Sequence, residues 1–412
     1  MKLSDHYDVI CAGGGLSAFL SGALLAKAGK KVLVVDEKSW ANPRLIENSI
    51  GYDPDFNLVS GLGQSAALGK SLQELGIAVD SSLFQSLDAI VQIMTPDFRS
   101  VVFSDPDKMR TELLQKFRDG DDLISTFFSL ISQSGIKLPE FVEEVLVGGQ
   151  MSSAETSRQH RFFGALYPLL RKARPVTLRN SLLAVRPGVN VASLGLCENM
   201  LRSILGSLSF ATPSNLGAEQ TIRGLAIPMQ GVAMVYGGLQ RLKDMLGEVV
   251  CANGGHVKLG GTVEGLTTEG SRVSGLLLSS FEGIVRADVV VITSKLKRIY
   301  STLPRALQDT TVLRALGRLE PATWKYSFSI RVNESVIPIG ATPSMSFIRS
   351  FDYPLEEENF VQIQILPSDS GLTKSASKTK TILVSAQVPY RSSSLNYGYL
   401  RRLGGKMLRV VS

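Results

Sequence analysis

A glycine turn near the N-terminus, between two apolar segments, constrains the fold of this chain more than any other feature. The segment 7–12 (YDVICA) predicts a strand, 13–15 (GGG) a tight turn, the residues after it a helix, and 31–35 (KVLVV) a second strand followed by Asp36. This order is typical of a βαβ unit that binds a dinucleotide. The pyrophosphate lies against backbone N–H groups at the helix N-terminus, where the helix dipole favours negative charge.

The residues of this unit have distinct expected roles in binding the dinucleotide. Gly13 allows the tight turn, Gly15 lets the backbone approach the phosphates, and Ala18 is small enough for the helix to pack on the strand. Asp36 follows Gly13 by 23 positions, close to the spacing at which an acid bonds the ribose hydroxyls. The candidate nucleotide-binding residues are therefore Gly13, Gly14, Gly15, Leu16, Ser17, Ala18 and Asp36.

Composition places the chain among globular proteins with a large core. It has 412 residues, of which 44% are hydrophobic and 20% are charged, so we expect two domains. No apolar run approaches the roughly 18–20 residues of a membrane-spanning helix, and the first strand begins almost at once, without a signal peptide. Together with three cysteines in no CxxC pattern, these features predict a cytoplasmic protein without disulfides.

The residues that most often form metal sites and catalytic triads are sparse. The three histidines, His6, His160 and His256, lie far apart and without metal-ligand spacing, so we expect neither a metal site nor a His-based triad. No paired carboxylates and no Cys/His pair can be identified either. The sequence therefore names no catalytic residue.

The formal net charge of +7 is concentrated in one segment. Residues 156–197 contain seven Lys or Arg and no Asp or Glu. If 161–172 is helical, apolar and basic side chains lie on opposite faces, which fits peripheral contact with the anionic inner face of a membrane through Arg158–Arg186. The alternative is a helix packed on its own domain with a solvated basic face, kinked by Pro168. Nucleic-acid binding is not expected, because the segment has no recognised motif.

Further patterns predict secondary structure on both sides of this segment. The runs 89–94 and 100–103 predict a β-hairpin, and Asp105-Pro106-Asp107 predicts the capped start of a helix. Beyond the basic segment, a helix is predicted after Gly237-Gly238, followed by strands at 256–259, 262–266, 273–278, 287–293, 326–332, 360–366 and 381–388. The continuous apolar run 287–293 is expected to be buried on both faces of its sheet.

Four blocks carry a resemblance to a known family. They are the N-terminal unit, 236–238 (YGG) with 254–257 (GGHV), 262–266 (TVEGL) and 284–291 (IVRADVVV). In this order they resemble the FAD-dependent phytoene desaturase, carotenoid isomerase and retinol saturase family, within the amine-oxidase-like flavoproteins. The resemblance implies that FAD is the cofactor, that the N-terminal unit holds its pyrophosphate and ribose, and that the backbone of Val263 contacts its adenine.

Three departures from the family pattern bear on flavin binding. Asn42-Pro43-Arg44 stands where the family has Gly-Gly-Arg, so Arg44 is the candidate near the phosphate. Asp36 replaces the commoner glutamate, and Glu37 is a second candidate for the ribose. The family continues to a C-terminal glycine-containing segment that seats the isoalloxazine ring, whereas this sequence ends at Ser412. We therefore expect a truncated chain, incomplete flavin binding or lost redox activity.

The expected fold is α/β with two domains. The first is an FAD-binding Rossmann-like domain with a central parallel sheet and a β-meander, predicted to be discontinuous over 1–79 and 227–304. The second is an α+β substrate domain with a mixed sheet and helices, predicted over 80–226 and 305–412.

The resemblance implies an FAD-dependent oxidoreductase that desaturates, saturates or isomerises C–C bonds of an apolar isoprenoid or polyene substrate. Two alternatives remain open: an FAD-dependent amine or porphyrinogen oxidase, and a non-catalytic binder of apolar or prenylated ligands like the Rab GDP-dissociation inhibitors. Asn42-Pro43 favours the binder, whereas the complete glycine turn and Asp36 favour a cofactor-binding enzyme. The sequence does not indicate the oligomeric state.

Overall fold

The computed structural model of the chain divides into two compact units. The first unit comprises Met1–Asn57, Ser71–Val79 and Val235–Pro321, and the second comprises Leu58–Lys70, Asp80–Met234 and Ala322–Ser412. The domain boundaries predicted from the sequence stay a prediction. The residues that the structure describes are 4, 6–36, 57–63, 66–116, 124, 128, 203–208, 228–279, 284–293, 296–319, 323–355, 357–367, 379–391 and 396–411.

Strands and helices alternate through the described residues. The strands are β1 (His6–Ala12), β2 (Val32–Asp36), β3 (Leu58–Ser60), β4 (Phe84–Leu87), β5 (Ala89–Met94), β6 (Arg99–Phe103), β7 (Val232–Val235), β8 (His256–Leu259), β9 (Val263–Glu269), β10 (Arg272–Leu278), β11 (Ile284–Ile292), β12 (Thr323–Asn333), β13 (Ser344–Ile348), β14 (Phe360–Leu366) and β15 (Thr379–Pro389). The helices are α1 (Leu16–Lys27), α2 (Ala67–Leu75), α3 (Pro106–Lys116), α4 (Gly238–Ala252), α5 (Leu296–Tyr300), α6 (Thr310–Gly317) and α7 (Tyr397–Val411).

The first unit is built on a six-stranded sheet in the order β8-β2-β1-β11-β10-β9. Strands β8, β2, β1 and β11 run parallel, and β10 and β9 continue the sheet as an antiparallel meander. All five residues of β2 are buried, as expected for a parallel strand covered on both faces. Helix α1 packs tightly on this strand, because a Cβ on Gly22 would lie 2.5 Å from Val34 Cγ2.

One hydrophobic cluster joins the parallel strands to the meander. Its buried members are Tyr7, Ile10, Ala12, Leu33, Val35, Val263, Leu276, Leu278, Val285, Ala287 and Ile299. Burying each large aliphatic side chain of this kind contributes about 1.5–3 kcal/mol. Ala12 and Val35 directly precede Gly13 and Asp36, so the cluster anchors both chain segments that lead into the glycine turn and its acid.

The prediction that β11 is buried on both faces is wrong. Val285 and Ala287 lie in the hydrophobic cluster, but Ile284 is 48% exposed and Val289 is 52% exposed. Alternate side chains of this strand therefore face the cluster and solvent. An apolar run can line a single covered face, so the run itself did not establish that both faces are covered.

The hairpin and the capped helix that follow it are confirmed. Strands β5 and β6 pair antiparallel, and Asp105 Oδ1 accepts hydrogen bonds from the backbone N–H groups of Asp107 and Lys108, at 2.9 and 2.8 Å. These bonds satisfy two N–H groups that a helix N-terminus otherwise leaves without partners. The Asp105-Pro106-Asp107 pattern therefore marks the capped start of α3, as predicted.

The second unit contains a six-stranded mixed sheet in the order β12-β15-β14-β13-β5-β6, beside a small sheet β3-β7-β4. In the large sheet β13 and β5 run parallel and the other neighbours run antiparallel. Residues in register across these strands point to the same face, and successive residues along a strand point to opposite faces.

One face of the large sheet is apolar and is covered by α7. A typical row across it consists of Tyr326, Ala386, Val361, Phe347 and Met94. These strands form a hydrophobic cluster with Leu403 and Met407 of α7. The amphipathic C-terminal helix therefore stabilises this face by ordinary apolar burial.

The opposite face carries buried polar side chains among apolar ones such as Phe360 and Leu383. One row across it reads Ser327, Ser385, Gln362, Ser346, Ile93 and Ser100 in register. We call Ser327, Ser344, Ser346, Gln362, Gln364, Ser385 and Gln387 the polar face; all but the half-buried Ser327 are at most 2% exposed. A buried polar group without a partner destabilises a protein by about 1–3 kcal/mol, so such a face is unusual for a hydrophobic core.

Candidate functional site

The turn between β1 and α1 has the backbone geometry that its glycines suggested. The N–H of Gly13 donates to the carbonyl of Val35 at 2.9 Å, which ties the turn to β2. Gly13 has a φ of 149°, which residues with a side chain rarely adopt. Gly15 caps α1 in extended conformation, and the N–H of the fully buried Ala18 donates to its carbonyl at 3.1 Å.

Gly14 and Gly15 are glycines for different reasons. A Cβ on Gly14 would lie 2.3 Å from Oδ1 of Asp36, so the buried carboxyl group packs against this part of the turn. A Cβ on Gly15 would find Ser17 Oγ as its nearest neighbour, at 3.8 Å, and the φ of Gly15 is −83°. Among the described residues nothing therefore requires glycine at position 15, whereas a ligand that approaches the backbone there would require it.

The structure brings most of the predicted nucleotide-binding residues together. Leu16 and Ser17 begin α1 directly after the turn, and the carboxyl group of Asp36 lies beside it at the end of β2. Val263 lies in the same hydrophobic cluster as Val35, and its carbonyl accepts from Arg298 Nη2 at 3.0 Å. Glu37 and Arg44 lie outside the described residues.

A buried lysine that the sequence reasoning missed also contacts the turn. Lys243 projects from α4, is 8% exposed, and its Nζ donates to the carbonyl of Gly14 at 3.1 Å. Lysine is rarely buried without a polar partner, so this bond fixes the ammonium group beside the turn. The signal was available, because Lys243 falls among Leu242, Leu246 and Val250 on the apolar side of an amphipathic helix.

The second pair of glycine motifs positions α4 and β8. Gly237 and Gly238 have φ values of 78° and 77°, so both need the left-handed conformation that glycine favours. A Cβ on Gly255 would lie 2.9 Å from the carbonyl of Val32, which allows β8 to approach β2 closely. These glycines therefore bring Lys243 to the turn through the packing of α4 rather than by direct contact.

The surroundings of the turn have few titratable side chains in described positions. Burial in the sheet raises the pKa of the Cys11 thiol to about 11, so this cysteine is neutral at physiological pH. The hydroxyl of Tyr7 hydrogen-bonds His256 Nδ1 at 2.9 Å, and burial raises the pKa of this tyrosine too. Among the described residues, Lys243 is the cationic side chain that hydrogen-bonds the turn.

This arrangement fits the adenosine diphosphate part of a dinucleotide. The helix N-terminus and Lys243 provide positive potential for a pyrophosphate, and the open space at Gly15 allows its close approach. Asp36 stands where an acid meets the ribose hydroxyls. The described residues therefore fit the cofactor that the glycine motif predicts.

The described part of the chain has neither a metal-binding cluster nor a membrane-spanning helix. No three His, Cys, Asp or Glu side chains converge there as a metal site would require. No helix among those residues combines the length and apolar character needed to cross a membrane.

Comparison of sequences finds one distant relative. No family model matches the chain. The 4,4'-diapophytoene desaturase (4,4'-diapolycopene-forming) of Methylomonas sp is 23% identical over 311 residues, which cover 71% of this chain and 54% of that protein. The chain therefore spans about half the length of the curated relative that it matches.

Comparison of structures shows the fold. An oxidoreductase from Methanosarcina mazei has a TM-score of 0.57 at 16% identity, over 97% of this chain and 83% of that one. A cofactor-binding variant of putrescine oxidase has a TM-score of 0.54 at 15% identity, over 93% of this chain and 76% of that one. The predicted fold class, a Rossmann-like domain of the FAD-binding type with a second α+β domain, is confirmed.

Proposed function

We propose that this chain is an FAD-dependent oxidoreductase and that the glycine turn holds the adenosine diphosphate part of FAD. The observation that carries the proposal is the glycine at position 15, where a Cβ would meet only Ser17 Oγ, at 3.8 Å, among the described residues, so that their packing does not explain the glycine. The buried Lys243 and Asp36, which both lie against Gly14, add the charges that a pyrophosphate and a ribose need.

Each part of the site has its own task in this proposal. The N-terminus of α1 and the backbone at Gly15 bind the pyrophosphate, and Lys243 holds the turn and lowers the repulsion between phosphates. The carboxyl group of Asp36 accepts hydrogen bonds from the ribose. Bound FAD supplies two-electron redox chemistry, and the protein orients it and excludes water.

For the substrate we propose an apolar isoprenoid or polyene, oxidised at a C–C bond. The support is the similarity to the Methylomonas protein, whose name describes a desaturase that acts on 4,4'-diapophytoene. An amine is the competing substrate, because a putrescine oxidase has the same fold.

Two measurements test the proposal in sequence. The purified chain is first scanned for flavin absorbance, before and after incubation with FAD and removal of unbound cofactor. The loaded protein is then mixed anaerobically with 4,4'-diapophytoene in detergent or with putrescine, and bleaching of the flavin absorbance is followed.

We expect retained flavin that is bleached by the isoprenoid and not by the amine. Absence of retained flavin would overturn the cofactor assignment. Bleaching by putrescine alone would overturn the substrate assignment and leave the cofactor assignment intact. Retained flavin that neither compound bleaches would contradict the proposed oxidation of the isoprenoid.

A further inference from the structure

The large sheet of the second unit ends at strand β12, whose outer edge no described strand covers. Among the described strands β12 pairs with β15 alone, at one end of the order β12-β15-β14-β13-β5-β6. The pairing runs through all eleven residues, Thr323–Asn333, without a shift in register. An edge strand of this kind presents a row of backbone N–H and C=O groups that can pair with another strand.

The interior of β12 lacks features that commonly prevent pairing at the edge of a sheet. Proteins protect such edges with proline, with bulges or with very short strands, whereas β12 is long, regular and free of proline. Its two charged side chains, Lys325 and Arg331, lie on the same side of the strand, because they are an even number of positions apart. They therefore restrict the register of a partner strand rather than exclude one.

The apolar side of β12 is incompletely covered. We call Tyr326, Phe328, Ile330 and Val332 the apolar margin; all four are half-buried. The neighbours in register of the first three, which lie on β15, are buried: Ala386, Val384 and Ile382. Coverage of this face therefore decreases from β15 to β12, and the apolar margin has surface left for a further contact.

The sequence of β12 is complementary to its own antiparallel copy. A two-fold axis through Ser329 would place Phe328 opposite Ile330 of the second copy, and Tyr326 opposite Val332 of the second copy. Aromatic side chains opposite β-branched ones form favourable cross-strand pairs. An axis through Ser327 would leave Val332 outside the paired region, so the axis at Ser329 makes fuller use of the apolar margin.

The charged residues favour the same register. An axis through Phe328 would place Lys325 opposite Arg331 of the second copy, and like charges directly opposite each other destabilise a sheet. With the axis at Ser329, Arg331 lies opposite the hydroxyl of Ser327, and Lys325 lies opposite the amide of Asn333. Both of these groups can accept a hydrogen bond from a cation.

We propose that the outer edge of β12 binds the same edge of a second copy of this chain, antiparallel about a two-fold axis at Ser329. The two six-stranded sheets then form one continuous sheet, and the two apolar margins bury each other. Nine paired residues, 325–333, give a contact roughly 30 Å long. This length matches the width of the patch of about 800 Å² that each partner of a stable dimer buries.

The first test is the mass of the full chain in solution. Sedimentation velocity over a range of protein concentrations should show a species of twice the mass of the chain. A monomer at every concentration would overturn the proposal, whatever covers the edge of β12.

Cysteine cross-linking tests the register. Ser329→Cys places one thiol of each copy at the axis, where opposite Cβ atoms lie about 4.5–5.5 Å apart, within reach of a disulfide. Arg331→Cys is the matched control: the residue is exposed on the same side of β12, but its two copies lie four positions apart along the strands, roughly 13 Å. Both variants are made in a chain whose Cys197 and exposed Cys251 are replaced by serine.

We expect mild oxidation to give a covalent dimer of Ser329→Cys and not of Arg331→Cys. Equal cross-linking of both variants, or of neither, would overturn the proposed register.

A charge exchange at the same exposed position tests whether the dimer uses this edge. Ser329→Lys and Ser329→Glu should each weaken dimerisation at least about fivefold, because two like charges meet at the axis. An equimolar mixture of the two variants should restore the dimer, because a lysine then faces a glutamate. Ser335→Lys, an exposed position just beyond β12, is the control and should leave dimerisation unchanged.

Unfolding temperatures of the variants show that any loss of the dimer is not a loss of folding. Dimerisation of Ser329→Lys as strong as that of the unaltered chain would assign the dimer to another surface and overturn the proposal. The same conclusion would follow if the mixture did not restore the dimer.

Discussion

The two large sheets of the molecule place their polar groups differently. In the first unit the parallel strands are apolar along their buried lengths, and the polar groups gather where strands end, at the glycine turn and Asp36. In the second unit the strands themselves carry the polar groups, as a row of serine and glutamine side chains across one face. The polar groups at the turn are largely backbone groups, and those of the polar face are side chains.

This difference changes what a substitution does in each unit. A backbone site depends on the close approach of main chains, so an added methyl group has a large effect there. Some buried side chains of the polar face, such as Gln387, have no described hydrogen-bond partner, so their replacement by an apolar side chain removes an energetic cost. We therefore expect substitutions at close approaches in the first unit, such as Gly22, to lower the free energy of unfolding, and removal of polar-face groups without a described partner to leave it unchanged or to raise it.

The largest effect is expected where α1 meets β2. Gly22→Val should lower the free energy of unfolding by about 3 kcal/mol, because even a Cβ would lie 2.5 Å from Val34 Cγ2 in a strand with no room to move. Chemical denaturation monitored by circular dichroism measures this. A loss below about 0.5 kcal/mol would show that α1 does not pack closely on the sheet.

Ionisation of the buried Cys11 thiol in β1 is expected to change the free energy of unfolding by a smaller amount. The pKa of Cys11 is about 11 in the folded chain against 9.0 for the free group, so the unfolded thiol ionises first. Between these pH values the folded state binds more protons, and stability should fall by roughly 2 kcal/mol as the pH rises.

Denaturation curves between pH 8 and pH 11 measure this fall, with Cys11→Ala as the control that lacks it. An identical pH dependence in both proteins would mean that the thiol ionises freely in the folded state.

The next effect concerns the bond between α4 and the turn. Lys243→Met should weaken FAD binding about tenfold, because a charge-assisted bond to Gly14 and the positive potential at the turn are both lost. The matched control is Lys297→Met, an exposed lysine whose Nζ donates to the carbonyl of Leu319 at 3.4 Å. Fluorescence titration with FAD compares the affinities of the two variants. Equal affinities would show that Lys243 does not contribute to FAD binding.

The smallest effect distinguishes two adjacent glycines of α7. Gly405→Ala should raise the free energy of unfolding by about 1 kcal/mol, since alanine favours helix and nothing lies within 4 Å of the added Cβ. Gly404→Ala should raise the free energy of unfolding by less, because its Cβ would lie 3.0 Å from Tyr326 Oη. Thermal unfolding of both variants measures the difference. Equal increases in the free energy of unfolding would mean that α7 does not pack closely against Tyr326.

The geometry of the glycine turn could be predicted from the sequence because its residues follow one another in the chain, whereas their role in binding a cofactor stays a prediction. Three glycines, the start of a helix and an acid at a fixed distance are determined by local geometry, and the structure places Gly13 to Ala18 and Asp36 together. Lys243 was not predicted, because it reaches the turn from a helix more than two hundred residues away.

The polar face was not predicted for a related reason. Its residues come from four strands, and only the register between strands reveals that Gln362 lies beside both Ser346 and Ser385. The alternation in β12, TWKYSFSIRVN, was a readable signal that one face is polar. That signal alone could not show that the polar face is buried, because an alternating strand usually exposes its polar side.

The binding of FAD by the Gly15→Ala variant, compared with the unaltered chain, tests the central claim most directly. The protein has room for the added methyl group, so the variant should fold with unchanged stability, and the same change at Gly405 should leave FAD binding intact. We predict that the unaltered chain retains FAD after gel filtration and that Gly15→Ala loses at least 100-fold in affinity. Equal retention of FAD by both proteins, or by neither, would contradict the assignment of the glycine turn as the FAD site.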